Sequence, residues 1–253
     1  MMALSIDNLS LSIGERRVLQ GISVRVDPGD TVGIVGESGS GKSLTAASAI
    51  GFLPRSAHSR RGTVRVCGTD PFELDRKALR QFRREKAALI FQDPMTALNP
   101  TRRVGTQFID LMDERGAAAR EKAIAMFTRM QLPDPERAFR AYPFELSGGQ
   151  RQRALIAMSL VRRPAIILAD EITTALDVSL RDDIMALLLS EVERIGAGAL
   201  VISHDLTMIG RFCSRVYVME AGRVIEEGPA AQILQAPRED YTRRLLAARP
   251  ENV

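Results

Sequence analysis

The amino-acid sequence predicts an α/β fold with three parts. Parallel strands alternate with helices, an antiparallel β layer precedes them, and a helical insertion interrupts them. Three observations carry this reading. An apolar run, Thr31 to Val35, enters the stretch Gly36-Glu37-Ser38-Gly39-Ser40-Gly41-Lys42-Ser43, and a helix-compatible run from Leu44 to Leu53 leaves it. Two more apolar runs, Ala165 to Ala169 and Ala199 to Ser203, end in polar residues and alternate with helical patterns. From about residue 103 to about residue 145 the pattern is helix-like and contains no convincing strand.

In chain order, Leu9–Ile13 and Ile22–Val26 alternate in polarity and read as strands of the antiparallel layer. Val26-Asp27-Pro28-Gly29-Asp30 is a turn that leads into the strand at Thr31. The helix after the glycine loop is expected to end at Pro54. Gly62 to Cys67 reads as another strand, Leu74 to Lys86 as a charged helix, and Ala88 to Phe91 as a short buried strand stopping at Gln92. Asp93 to Pro100 is a loop with two prolines, and Glu121 to Met130 is the clearest segment of the insertion. Ser147 is a small polar cap for a helix running to Val161, with Leu155, Met158 and Val161 at helical spacing. Leu180 to Ile195 is an amphipathic helix. Arg215–Met219 and Arg223–Glu226 form a hairpin about Ala221-Gly222, and the tail from Ala230 is helical and basic.

Composition bounds the function. The 253 residues are enough for a full core, and 45% hydrophobic with 26% charged content reads as soluble and globular. No apolar run reaches the roughly 20 residues of a membrane helix, and the N-terminus carries no secretory pattern. Two distant cysteines, Cys67 and Cys213, exclude a four-cysteine metal cluster built from this chain and suit a reducing compartment. The net charge of +4 is mild and its carriers are scattered, which does not indicate a nucleic-acid patch.

The chemistry begins at residues 36–43. The spacing G-x-x-x-x-G-K-S is that of a phosphate-binding P-loop. Glycines let several backbone N–H groups approach one anion, and the following helix turns its positive end toward it. Lys42 reaches the β- and γ-phosphates, and Ser43 offers its hydroxyl to Mg²⁺. Asp170 and Glu171 close an apolar strand at the edge where a parallel sheet delivers its functional side chains. They are assigned to Mg²⁺ and to general base or water positioning, respectively. His204 ends another strand and is placed to donate a hydrogen bond to a γ-phosphate, or to serve as a structural hydrogen-bonder. Gln92 is read either as a Mg²⁺ or water ligand or as a solvated loop residue. Leu146-Ser147-Gly148-Gly149-Gln150 is a second small-residue loop opening a helix, hence a second anion site. Two such sites far apart in sequence serve one nucleotide if two chains pack head to tail.

With these motifs in place the chain resembles the ATP-binding subunit of an ABC transporter over nearly its whole length. Walker A is Gly36–Ser43, the Q-loop is at Gln92, the signature is Leu146–Gln150, and Walker B is Ile166–Asp170 with Glu171. The D-loop is Ala175-Leu176-Asp177 and the switch is His204. The resemblance implies a RecA-like P-loop NTPase core at about 1–92 and 155–253, with a helical subdomain at about 93–154. It implies ATP with Mg²⁺ held between one subunit's Walker A and its partner's signature, with Asp177 communicating across the interface. Implied partners are a second ATPase subunit (a paralogue or a second copy), two integral-membrane permeases that dock near Gln92 and the helical insertion, and an extracytoplasmic solute-binding protein. The implied location is the cytoplasmic face of a bacterial inner membrane. Gly36–Leu44, Phe91–Pro100, Tyr142–Ser147, Thr173–Val178 and Tyr241–Leu246 resemble the dipeptide, oligopeptide and nickel import group, which implies ATP hydrolysis that powers import of a peptide, nickel or metal-chelate substrate. The alternative is an ATPase of a multi-subunit enzyme such as the carbon–phosphorus lyase complex. Two departures stand out. Ile13 occupies the position where the family often places an adenine-stacking aromatic residue, so adenine contact falls to Ile13 or to the guanidinium of Arg16. Ile172 stands where the group usually has proline.

Overall fold

In the computed structural model the described residues are 2–91, 93–174 and 178–247, the side chains of 178 and 179 excepted. Gln92 and Asp177 therefore lie outside the described residues.

The chain opens with β1 (Leu4–Ile13) and β2 (Arg16–Val26), an antiparallel pair closed by a two-residue turn at Gly14-Glu15. β3 (Thr31–Val35) leads into the glycine loop and α1 (Lys42–Ala49). β4 (Ala57–Val66) returns to pair with β1, completing a three-stranded antiparallel sheet in the order β2-β1-β4. These strands run longer than their alternation alone predicts, because each is extended by pairing with β1 from Leu4 to Ile13. α1, by contrast, stops well short of Pro54. Gly51, at φ 62°, terminates it: Gly51 N donates to Ser48 O at 2.9 Å and Phe52 N donates to Ala47 O at 2.9 Å. That is the paired arrangement of a glycine C-cap, and it ends the helix before proline can.

α2 (Arg76–Glu85) is capped by the Asp75 side chain and buries Phe82, and β5 (Ala87–Ile90) follows it. The insertion comprises α3 (Pro94–Ala97), α4 (Val104–Asp110), α5 (Gly116–Arg129), α6 (Pro135–Arg140) and a 3-10 turn at Pro143–Glu145. Phe108 of α4 and Phe127 of α5 are fully buried and meet edge to face, with centroids 5.3 Å apart at 78°, a favoured aromatic geometry. α7 (Gly148–Leu160) runs across the expected boundary near residue 155 and returns the chain to the sheet at β6 (Ile166–Asp170). α8 (Val178–Ile195), β7 (Gly198–Ser203), α9 (Leu206–Phe212), β8 (Arg215–Glu220) and β9 (Arg223–Pro229) follow, then α10 (Ala230–Gln235) and α11 (Asp240–Ala247).

The main sheet has the order β5-β6-β7-β3-β8-β9, parallel except for the last pair. Its central strands are apolar throughout because both faces are covered. Val32, Ile34, Ile166, Leu168, Leu200 and Ile202 face the antiparallel layer together with Ala46 and Ala49 of α1. Val35, Ile167, Ala169, Ala199 and Val201 face the other core, which is continuous with the helices of the insertion. The alternation of period two thus divides each strand between two cores. It also brings the ends of β3, β6 and β7 to one edge of the sheet.

Candidate active site at the carboxyl edge of the sheet

β6, β7 and β3 are consecutive neighbours, with Asp170 opposite Ile202 and Ser203 opposite Val35. This register places Asp170, Glu171, His204 and the glycine loop side by side. The loop turns at Gly36 (φ 154°), where an added Cβ would lie 2.1 Å from the Met219 carbonyl oxygen. Only glycine fits there. Gly41, at φ 104°, is the N-cap of α1.

Lys42 is buried, and its ammonium donates to the carbonyl oxygens of Gly36 and Glu37, each at 2.8 Å. It lies 3.9 Å from Glu171 Oε1. Burial holds Lys42 below the ordinary lysine range, against the opposing pull of Glu171, Asp170 and Glu37. Ser43 Oγ donates to Asp170 Oδ1 at 2.9 Å. Burial pushes the Asp170 carboxyl up, the Ser43 hydroxyl pulls it back, Glu171 raises it again and Lys42 lowers it. A hydroxyl and a half-buried carboxylate side by side form the hard-oxygen donor set that suits Mg²⁺.

Glu171 adopts φ 49°. In an extended strand Asp170 and Glu171 would point to opposite faces. The left-handed turn breaks that alternation, so that Asp170 meets Ser43 while Glu171 comes beside Lys42, at a conformational cost of roughly 1–2 kcal/mol. It is held by the Glu171 N–H donating to Ile202 O at 3.0 Å and by Thr174 N–H donating to Glu171 O at 3.2 Å. Glu171 Oε2 accepts from Thr174 Oγ1 at 3.3 Å and lies 3.7 Å from His204 Nδ1. The Glu171 carboxylate thus stands between Lys42 and His204. Ile172, the second departure noted in the sequence, is buried and packs into the helical-side core.

A cleft of about 790 Å³ opens beside these groups, lined by Glu37, Lys42, Ser43, Glu171 and His204 together with Arg16, Arg17, Val18 and Gln20. Ile13 is not among its lining residues. It sits half-buried at the end of β1, paired with Arg16 and Ala57, and Arg16 rather than Ile13 reaches the cleft. Ala221 and Gly222, the turn between β8 and β9, also line it. Gly222 N donates to Ser40 O at 3.0 Å. Sequence reasoning assigned this turn no role, and a hairpin glycine carries no signal that would have given it one.

The Leu146–Gln150 loop lies elsewhere, and none of its residues lines the cleft. Ser147 caps α7: its Oγ accepts from Gln150 N at 3.3 Å, while Gln150 Oε1 accepts from Ser147 N at 3.0 Å. This reciprocal pair is a capping box. Leu146 is buried and Ser147 is exposed. At Gly149 an added Cβ would come within 2.6 Å of Leu180 Cδ2, so glycine lets α7 close directly onto α8.

A model of the ABC transporter family matches residues 19–174. The chain belongs to the ABC transporter family. ABC transporter ATP-binding subunits hydrolyse ATP, and this one carries the family's phosphate loop and acidic strand end in contact. It is 43% identical to a probable D,D-dipeptide transport ATP-binding protein of Escherichia coli, over 98% of this chain and 79% of that one. It is 38% identical to a dipeptide transport ATP-binding protein of Haemophilus influenzae, over 99% of this chain and 78% of that one. Among solved structures, a bacterial ABC transporter cassette determined as a dimer superposes with a TM-score of 0.77 at 29% identity, covering 90% of this chain and 98% of that one. The same cassette in a post-hydrolysis state bound to ADP and Pi superposes equally well. The ABC ATPase fold expected from the sequence is the fold observed. No helix among the described residues is long and apolar enough to cross a membrane.

Proposed function

We propose that this ABC ATPase powers peptide import, working in a head-to-tail pair on the cytoplasmic face of a bacterial inner membrane. The observation that carries the paired site is the separation within one chain: the Lys42 cleft is open, and the exposed Ser147 loop contributes nothing to it. A second chain, paralogue or copy, supplies that loop. Ser43 and Asp170 would hold Mg²⁺, which supplies charge neutralisation to the β- and γ-phosphates. Gln92 is assigned to the same ion, and Asp177 to contact across the pair. Glu171 accepts a proton from the attacking water or orients it, Lys42 binds the phosphates, and His204 donates to the γ-phosphate. Arg16 lies over the adenine.

The substrate class rests on the relatives, whose names specify dipeptide and oligopeptide transport. They favour transport over a role in a carbon–phosphorus lyase complex. Two permeases and an extracytoplasmic binding protein complete the assembly. Exposed Phe91 and Met95 flank the start of the insertion and suit the permease contact.

The test is co-purification with the permeases after Glu171→Gln substitution, with ATP added. A stable ATP-bound pair is expected. Trapped material that stays monomeric beside its natural partners would refute the shared site. Peptide-stimulated hydrolysis in the reconstituted complex tests the substrate, and stimulation by nickel alone would overturn the peptide assignment.

A further inference from the structure

We propose that Tyr241, on α11, is a positioning residue for the phosphate loop. Its phenol oxygen anchors the loop's first peptide while Lys42 turns toward the nucleotide. The inference rests on reading residues 36–43 as the ATP site.

Three hydrogen bonds fix the entry to the loop. Lys42 Nζ holds the carbonyl oxygens of Gly36 and Glu37. Between them, the Glu37 N–H donates to Tyr241 Oη at 2.8 Å. The donor and acceptor are 204 positions apart in sequence. The ring is buried, and burial raises the phenol above its ordinary range, so it stays neutral at physiological pH.

The phenol is held firmly in place. The buried Glu226 carboxylate accepts from Arg238 N at 2.8 Å and Glu239 N at 3.1 Å, just ahead of α11. Arg243 donates to Pro237 O at 3.0 Å and to Arg238 O at 2.8 Å. Arg244 lies 5.8 Å from the Tyr241 ring centroid and 3.7 Å from Glu220. Leu245 and Leu246 pack against the core. A side chain anchored this way imposes its position on what it binds, rather than following it.

On binding ATP, Lys42 exchanges part of its hold on the two carbonyls for phosphate oxygens, having three N–H donors to share among them. The bond to Tyr241 is the one of the three that the exchange does not touch. Without the hydroxyl, the first peptide of the loop is no longer held before ATP arrives, and the cost of ordering it falls on binding.

The experiment compares the full-length parent with Tyr241→Phe, which keeps the ring and removes the hydroxyl. ATP affinity should weaken about three- to tenfold, the range expected for one unmade hydrogen bond. In the assembled complex KM for ATP should rise by the same factor while kcat stays within about twofold. Amide hydrogen exchange should show the Glu37 N–H protected in the ATP-bound parent and released in the variant. Equal ATP affinity in the two proteins overturns the proposal. So does a Glu37 amide in the ATP-bound parent that exchanges as fast as that of Gly39, a result that needs no variant and decides the matter if Tyr241→Phe fails to fold. A parent that binds no ATP sinks the reading of the loop instead.

Discussion

Two glycines three residues apart in the phosphate loop should respond very differently to alanine. At Gly36 the new methyl carbon would lie 2.1 Å from the Met219 carbonyl oxygen and 2.8 Å from Ser40 Oγ, at φ 154°. The closer neighbour is backbone of β8, so it cannot swing aside. Overpacking costs roughly 1–3 kcal/mol and the unfavourable backbone region about as much again. The sum is roughly 2–6 kcal/mol, equivalent to a fall in Tm of about 5–20 °C for a chain of this size. The loop can escape only by shifting the Gly36 carbonyl, which holds Lys42 at 2.8 Å. The cost then reappears as lost ATP affinity. Gly39 is also left-handed, at φ 82°, but its added Cβ meets nothing within 4 Å. There the penalty is only the backbone term, roughly 1–2 kcal/mol. Thermal unfolding and ATP titration of Gly36→Ala and Gly39→Ala provide the assay. A Gly36→Ala protein within about 2 °C and twofold of the parent, or one no worse than Gly39→Ala, would refute the steric argument.

Three further outcomes are expected. Glu171→Gln should slow phosphate release in the assembled complex by about 10²–10⁴-fold with ATP binding retained; a rate within tenfold of the parent would remove Glu171 from the base role. Asp170→Asn should stabilise the nucleotide-free chain at neutral pH, because burial raises the folded-state Asp170 pKa above its ordinary 3.8. With a raised carboxyl, the parent's deficit is present above the folded-state pKa, shrinks as pH falls through it and vanishes below 3.8. Chemical denaturation at several pH values checks this, and a deficit that grows on acidification would contradict the sign. Arg16→Ala should weaken ATP binding by about two- to fivefold if its guanidinium covers the adenine. Ile13→Tyr should change affinity little, since Ile13 does not line the cleft; the opposite order in the two titrations would return the adenine contact to Ile13.

Much of the fold was legible because its signals are local. Apolar strands with both faces covered, glycines at a fixed spacing and a small polar cap ahead of α7 each act within a few residues. α1 is shorter than its proline signals, because Gly51 ends the helix before Pro54 can. The lengths of β1, β2 and β4 were underestimated because pairing rather than alternation sets them. In the site, Lys42, Ser43, Asp170, Glu171 and His204 were identified from spacing and strand ends, and the sheet order brings them together. Arg17, Gln20, the Ala221-Gly222 turn and Tyr241 were given no place in the site, because their approach to the loop depends on packing between distant segments. The left-handed turn at Glu171 was also hidden, since glutamate has no preference for that conformation.

The order β6-β7-β3 has a mechanical consequence. Neighbouring strands are about 4.8 Å apart, so the backbones of β6 and β3, whose ends carry the groups that meet in the site, are held roughly 10 Å apart by a hydrogen-bonded ladder that stretches very little. Such a floor behaves as a stiff plate. Work released above it is therefore delivered outward, to surfaces that can slide without tearing a ladder apart, which in the proposed pair are the helical insertion and the second chain.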